Sequence, residues 1–396
     1  MSDVFTTPEL DNLEKTVIEM IVKIREEMRD RVSEPRRWSG GLRRMSEARA
    51  VQASNSIEGY NATLDDVMAV QDEDEPMDAD TETQFALEGY QEAMTYVLQA
   101  TQDPGLEVDE GLLRALHFMM LKHDLGKNPG RWRPGPIHVE RSDTGERVYE
   151  APDAAAVPGL IAAMLKELDQ SDAPIMVKAA MAHLNLVMIH PFRDGNGRMA
   201  RCVQTLVLAR DDTTSPVFSS IEEYLGRNTQ DYYDLLAQVG KGSWHPENDA
   251  RPWVRFNLTA HYRQALTFQR RMKAFEEMWT VGARIAEERR LPERTIGPIA
   301  EAAFGLRIRR ATYLKNVQIT WGEPIADLTA SRDLRSLVTA GLLKPIGDTR
   351  ARYYVASEPL KTEWEQIRAK WPRSLDADDP FAIAADSLQL TLGVST

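Results

Sequence analysis

The thirteen residues IHPFRDGNGRMAR, Ile189 to Arg201, bring a histidine, an aspartate and an asparagine together with two glycines and three arginines. Pro191 disfavours helical geometry at His190, so the apolar run before it is expected to end there as a helix. The DGNG segment is too rich in glycine for regular structure, and Cys202, Val203, Leu206 and Val207 then resume a helical spacing. The reading is helix, tight turn, helix. Glycines allow backbone amides to converge on one point, and the start of the new helix adds partial positive charge there. That combination suits a phosphate. Arg198 and Arg201 lie three apart on the first turn of the second helix, so both guanidinium groups are expected to face the same anion. Asp194 offers a hard oxygen ligand suited to Mg²⁺ between phosphates. His190 is the one group in the stretch able to take a proton near neutral pH. The segment is neither a Walker A loop, which ends in Gly-Lys-Ser/Thr, nor the dinucleotide fingerprint, which follows a strand.

The rest of the chain must hold this turn in place. Its 396 residues are enough for two or three domains, with 42% hydrophobic and 28% charged residues, as in ordinary globular proteins. No run approaches the ~20 apolar residues of a membrane span, and the first residues lack a basic-then-apolar signal pattern. A single cysteine, Cys202, leaves no internal disulfide and no thiol cluster for zinc, and the expectation is a cytoplasmic protein. A net charge of −13 argues against wholesale nucleic-acid binding. Helical spacing recurs in the first forty residues, through RRMSEARAVQASNSIEG to a capping Gly59, and through TQFALEGYQEAMTYVLQA and DEGLLRALHFMMLKH. The acidic QDEDEPMDAD reads as a solvated loop. A Gly- and Pro-rich stretch then carries two short extended runs, IHVER and RVYEA, around SDTG, which predicts a hairpin inside a helical domain. Helices return on both sides of the DGNG turn and at TQDYYDLLAQVG, and a long one from Asp249 to Trp279 is expected to lead out of the domain.

HPFRDGNGR, residues 190–198, matches at every position the signature HPFx(D/E)GN(G/K)R of the Fic domain, and Arg201 matches the second arginine of its extended form. The resemblance runs from about Ser54 to Gly240. It implies a mostly helical enzyme that moves AMP from ATP onto a protein hydroxyl. By that resemblance His190 is the base for an incoming Ser, Thr or Tyr. Asp194 carries Mg²⁺, and Asn196 with the amides of Gly195 and Gly197 cradles the α-phosphate. Arg198 and Arg201 hold the outer phosphates. The hairpin from Ile137 to Tyr149 is similar to the family's target-positioning flap, with Ile137, His138, Val139 and Glu140 receiving the target chain by strand addition. Tyr232 and Tyr233 look like the adenine-side tyrosines, although Gly240 stands where some relatives have an asparagine.

SNSIEG, Ser54 to Gly59, resembles the family's inhibitory motif (S/T)xxxE(G/N). A carboxylate at Glu58 could pair with Arg201 and remove the cation meant for the γ-phosphate. Further on, a helical segment around Leu334, Leu337 and Val338 is followed by Gly341 and two strand-like runs, LLKPI and RYYVA, flanking GDTR. That order predicts a winged helix-turn-helix. Residues 291–358 carry ten Lys/Arg against seven Asp/Glu, with Arg332 and Arg335 on the recognition helix and Arg350 and Arg352 on the wing. Weak, salt-sensitive duplex DNA binding or a protein contact is expected there.

The expected fold is therefore mostly α, a Fic helical core with a small β-hairpin flap and a C-terminal winged helix-turn-helix. It divides into an N-terminal helical segment with the inhibitory helix (1–105), the Fic core (106–250), a connecting helix (251–290), the winged helix (291–358) and a tail (359–396). The expected function is Mg²⁺-dependent protein adenylylation from ATP, checked by Glu58, on a protein target and with a homodimer as one assembly to consider. Removal of AMP by the same site is one alternative, and a DNA-binding regulator with an attached Fic domain is another. His183 and His190, seven apart with Asp194 beyond, also raise a metal-hydrolase reading, weakened by the lack of a third strong ligand.

Overall fold

A computed structural model describes residues 3–32, 36–141, 144–210, 218–348, 352–370 and 379–393. The chain folds mostly as helices. The N-terminal part holds α1 (Asn12–Val32), α2 (Ser39–Ile57), α3 (Leu64–Gln71), α4 (Thr81–Ala100) and α5 (Glu110–Leu121). The hairpin β1 (His138–Glu140) and β2 (Arg147–Glu150) follows, then α6 (Val157–Gln170), α7 (Ile175–Ile189), α8 (Asn196–Ala209), α9 (Glu222–Arg227) and α10 (Thr229–Gly240). The C-terminal part holds α11 (Arg251–Glu288), α12 (Ile296–Ala303), α13 (Arg310–Trp321), α14 (Asp327–Thr339), β3 (Leu343–Ile346), β4 (Tyr353–Ala356), α15 (Glu358–Ala369) and α16 (Pro380–Gly393). No helix among the described residues is long and apolar enough to cross a membrane.

Helix starts follow local chemistry. Asp80 and Asp109 accept hydrogen bonds from the amides of Thr83 and Leu112, capping α4 and α5. Thr63 and Asp66 form a reciprocal capping box at α3. The α7 helix is apolar all round, and nearly every residue of it is buried, because α6, α8 and α11 pack around it. The buried Trp253 of α11 donates its indole N–H to the Ala180 carbonyl at 2.7 Å, which fixes α11 to α7. Near the start of the chain, Phe5 is pinned to Asn185 of α7 by a reciprocal pair of bonds at 2.9 and 3.0 Å. The central pair α7–α8 is thus rigidly held on all sides, and the turn between them carries the DGNG residues.

One sequence reading changes. The acidic run after α3 is not simply solvated, since Arg309 and Arg307 take Asp74 and Asp78 at 2.8 Å each. The described residues of the tail form α15, against α11 and α12, and α16, against α1 and α11. The α11 helix runs to Glu288, within the connecting segment 251–290, and contacts α7, α1, α12 and α15 along its length. At the C-terminal module, helix α14 is followed by the antiparallel pair β3–β4, and Ile308 bridges the outer side of β4 at Tyr354. Arg332, Arg335 and Arg352 are exposed, while Arg350 lies outside the described residues.

Candidate active site

The helix α7 ends at His190, which takes a left-handed conformation with φ of +51° and ψ of +57°. Few non-glycine residues adopt it, and here the following proline removes the helical alternative. The half-buried ring donates from Nδ1 to the Val187 carbonyl at 3.1 Å. A carbonyl only accepts, so the neutral ring carries its lone pair on Nε2. Burial holds the His190 pKa below the ordinary 6.5, against the opposing effect of that hydrogen bond.

The corner is held by a residue that the sequence reading did not single out. Arg133, buried, donates from Nε to the His190 carbonyl and from Nη1 to the Gly135 carbonyl, each at 2.8 Å. Its Nη2 donates to the Pro152 carbonyl, and its own amide to the Pro191 carbonyl at 2.9 Å. One guanidinium therefore joins the His190 corner to both ends of the β1–β2 hairpin. Tyr149 of β2 adds a bond from its hydroxyl to the Met188 carbonyl at 2.8 Å.

The turn itself is stapled from within. Asn196 accepts from the Phe192 amide and donates to the Phe192 carbonyl, both at 2.9 Å. The sequence reading had Asn196 with the Gly195 and Gly197 amides around the α-phosphate, and here its side chain is engaged within the turn. Its amide group shapes the turn, leaving backbone N–H groups and arginines for an anion. Gly195 has φ of +74° at the start of α8. His117, also missed from sequence, stacks on Phe192 at 3.7 Å between ring centres. It accepts from the Gly130 amide at 2.8 Å and donates to the Asp194 carbonyl at 2.9 Å. Burial pushes its pKa down to about 4, so it stays neutral and works as a fixed spacer.

Asp194 accepts from the Gly195 amide at 2.6 Å and from Lys127 Nζ at 2.8 Å. Burial disfavours its charge, yet Lys127, Arg198 and the Gly195 amide together hold the carboxyl below the usual aspartate value. Among the described residues no group of three or more His, Cys, Asp or Glu could enclose a metal. A single ionised carboxylate beside a phosphate-ready helix start fits a Mg²⁺ that completes its shell with phosphates and water. His183 is not part of such a centre. It is buried, donates from Nδ1 to Gln204 at 2.6 Å and accepts from the Tyr232 hydroxyl at 3.0 Å. Burial drives its pKa to about 3.

Arg198 and Arg201 are both 1% exposed at the start of α8. Arg198 lies over the Tyr60 ring at 5.0 Å, while its Nε and Nη1 are buried with no hydrogen-bond partner. Arg201 donates from Nε to the Ser54 hydroxyl at 2.7 Å, and from Nη2 to the Ser54 carbonyl at 2.9 Å and Glu58 Oε1 at 2.6 Å. Its Nη1 is also without a partner. Burial works against the Arg201 charge, but the Glu58 carboxylate keeps its pKa raised. Ser54 and Glu58 sit four apart at the end of α2, on one face. The Glu58 carboxylate also lies over the first turn of α8, since a Cβ on Gly197 would come within 2.3 Å of its Oε1. Arg201, Ser54 and Glu58 thus meet over Gly197 at the start of α8.

The two tyrosines separate. Tyr233 is surface-exposed and donates to the Ile57 carbonyl at 3.1 Å, next to Glu58. Tyr232 is 1% exposed and packs behind it against Trp253 and His183, so as placed it offers no open face to an adenine. Gly240 closes α10 against the flap, where an added Cβ would lie 3.2 Å from Met188 and 3.3 Å from Tyr149. A larger residue there would press on both. The flap strands pair His138 with Glu150 and Val139 with Tyr149, with an irregularity before Glu140. His138 and Glu140 face each other at 2.8 Å, and the Ile137 carbonyl accepts from the Ala151 amide at 3.2 Å. The outer side of β2 is bridged at Glu150 to Ser243, which leaves β1 as the unpaired edge among the described residues.

Comparison with known proteins agrees with this geometry. A sequence model of the Fic/DOC family matches residues 107–208. The protein adenylyltransferase Fic of Nematostella vectensis is 28% identical over 215 residues, which are 51% of this chain and 44% of that protein. The protein adenylyltransferase fic-1 of Caenorhabditis elegans is 32% identical over 128 residues, 31% of this chain and 23% of that protein. The chain thus spans less than half the length of these relatives. A crystal structure of a Fic family protein from Desulfovibrio desulfuricans G20 superposes with a TM-score of 0.56 at 22% identity, covering 89% of this chain and 98% of that one. Fic-1 from C. elegans gives 0.50 at 20% identity, over 64% of this chain and 72% of that one. The shared fold, the matched core and the intact glycine-turn signature place a domain of the Fic/DOC family in this chain.

Proposed function

We propose that the protein is an adenylyltransferase that moves AMP from ATP to a Ser, Thr or Tyr hydroxyl of a protein target and is held inactive by Glu58. The observation that carries the proposal is the set of buried guanidinium N–H groups without partners on Arg198 and Arg201, two residues of the first turns of α8. Unpaired buried donors on a cation are costly, and an anionic ligand relieves that cost. The backbone amides of the glycine turn and the helix start add to the same field. The named relatives support the reaction class.

In this reading His190 Nε2 takes the proton of the target hydroxyl while that oxygen bonds to the α-phosphorus. The bond from the α-phosphorus to the bridging oxygen breaks, and pyrophosphate leaves with the electron pair. The Val187 carbonyl fixes the ring orientation through Nδ1, and Arg133 holds the corner against the flap. Asp194 would hold a Mg²⁺, which would supply positive charge to offset that of the phosphates. Glu58 blocks this by holding Arg201 and by placing its carboxylate over Gly197, where an outer phosphate would bring like charge. The free edge of β1 gives a target chain backbone groups to pair with.

Intact-mass measurement of the protein incubated with ATP and Mg²⁺ tests the reaction. The Glu58→Gly protein should gain the mass of AMP on itself or on an added target. Hydrolysis of ATP with no AMP adduct on any protein would refute transfer.

A further inference from the structure

The acidic segment after α3 does more than cap a loop. Arg309 donates to Asp74 at 2.8 Å and to the Glu75 carbonyl at 2.6 Å. The Arg307 amide donates to Asp65 at 2.6 Å, its side chain takes Asp78 at 2.8 Å, and Lys315 donates to the Gln71 carbonyl at 2.8 Å. Between this segment and α13, α14 and the β3–β4 hairpin lies a cleft of about 1040 Å³. Arg309, Arg310, Arg335 and Arg352 line it. Leu314, Leu334 and Val338 supply an apolar floor. Arg309 and Arg310 already have carboxylate neighbours, Asp74 at 2.8 Å and Asp327 at 3.6 Å. Arg335 and Arg352 have no ion pair among the described residues and are exposed.

We propose that this cleft is the docking site for an acidic, partly apolar peptide segment of a protein partner. The chain itself lays such a segment against the first of these arginines, and Arg309 there takes both a carboxylate and a backbone carbonyl of an acidic loop. The two arginines left over extend that cationic wall along the same cleft. A nucleic-acid backbone would use the arginines but would leave Leu314, Leu334 and Val338 without an apolar partner. A peptide with alternating acidic and apolar side chains uses both.

Docking there reaches the active site through α2. Arg44 of α2 pairs with Asp72 at 3.2 Å, beside the acidic segment. Close contact at the first turn of α2 brings Gly40 against Ile319 and Gly41 against Glu301, where an added Cβ would sit 3.2 and 3.3 Å away. Arg37 lies over the Trp321 ring at 4.0 Å. One end of α2 is therefore gripped by the C-terminal helices, and the other presents Glu58 to Arg201. A partner that competes with Asp74 for Arg309 loosens that grip. This second step rests on Glu58 being the inhibitor.

The test uses the full chain and a fluorescent peptide of sequence QDEDEPMDAD as probe. Saturable binding is expected, weakened about tenfold or more by Arg335→Glu with Arg352→Glu, and weakened again between about 50 and about 200 mM salt. Arg335→Ala with Arg352→Ala guards against misfolding of the reversed variant and should weaken binding in the same direction. Saturating peptide should raise AMP incorporation by the wild type several-fold and leave Glu58→Gly unchanged. Absence of binding, or binding indifferent to both double variants, overturns the site. Tighter binding of a duplex of about 20 base pairs than of the peptide overturns the choice of partner. If Glu58→Gly is active but the peptide does not stimulate the wild type, the coupling fails and the inhibitory reading stands. If Glu58→Gly is inert, the inhibitory reading fails, and peptide binding still decides the site.

Discussion

The carboxylate of Glu58 and the guanidinium of Arg201, 143 residues apart in sequence, meet at 2.6 Å over the first turn of α8. Arg201 is buried and the Glu58 side chain is 25% exposed, so the pair lies where solvent screens it little. Its geometry sets two competing uses of one cation. In the proposed reaction Arg201 serves either the end of α2 or an outer phosphate.

Replacing His190 by Ala should cut AMP transfer by about 10²–10⁴ and leave ATP binding near the wild-type level, because the base acts on the target hydroxyl. Rapid-quench transfer assays in the Glu58→Gly background, with calorimetric ATP titration alongside, measure both. Undiminished transfer would remove His190 from the mechanism.

Arg133 is expected to act as a positioning residue. Arg133→Lys keeps the charge but loses the fork that reaches His190, Gly135 and Pro152 at once. The kcat should fall about tenfold or more and the KM for protein target should rise, with the KM for ATP little changed. A variant whose only change is a lower melting temperature would reduce Arg133 to a structural role.

The turn should also be acid-sensitive. His117 is neutral in the fold with a pKa of about 4, against an ordinary 6.5. Between these values the unfolded chain binds the extra proton, so stability falls as pH drops from 6.5 towards 4 and is regained above 6.5. The gap corresponds to on the order of 3 kcal/mol. His183, at about 3, adds to the same slope. Urea melts at stepped pH should show this loss, and His117→Gln should flatten it. A midpoint independent of pH from 7 down to about 4.5 would contradict the account.

The glycine turn was legible because its chemistry is local. A proline, two glycines and two arginines at helical spacing dictate a corner, a tight turn into a helix start and a pair of cations on that helix without help from distant residues. Glu58 was legible for the same reason, through its fixed spacing from Ser54. Arg133, His117 and Lys127 were not, because each acts through backbone carbonyls, a stacked ring or a carboxylate brought close only by tertiary packing. The acidic run after α3 misled for a related cause. Its composition is that of a solvated loop, but the arginines that clamp it lie more than 200 residues away. Tyr232 is buried and Tyr233 exposed, a difference that adjacent positions on one helix do not reveal.

Lys127 holds the Asp194 carboxylate at 2.8 Å, so a metal ion must share that group with an ammonium. Lys127→Ala should lower the Mg²⁺ concentration for half-maximal activity by roughly three- to tenfold in the Glu58→Gly background. A Mg²⁺ titration of AMP incorporation reads it directly, and an unchanged or higher requirement would contradict the competition.

The most direct test of the account is AMP incorporation, resolved by intact mass, in wild type, Glu58→Gly, Arg201→Ala and Glu58→Gly with His190→Ala. The account predicts a rise of about tenfold or more for Glu58→Gly over wild type, since the freed guanidinium then takes the γ-phosphate. Arg201→Ala should show no such gain, because it removes the lock and the phosphate ligand together, and the double variant should be silent. Equal incorporation by wild type and Glu58→Gly would contradict inhibition by Glu58. Loss of an AMP-removing activity in Glu58→Gly, on a target already carrying AMP, would turn the same site into a hydrolase of that modification.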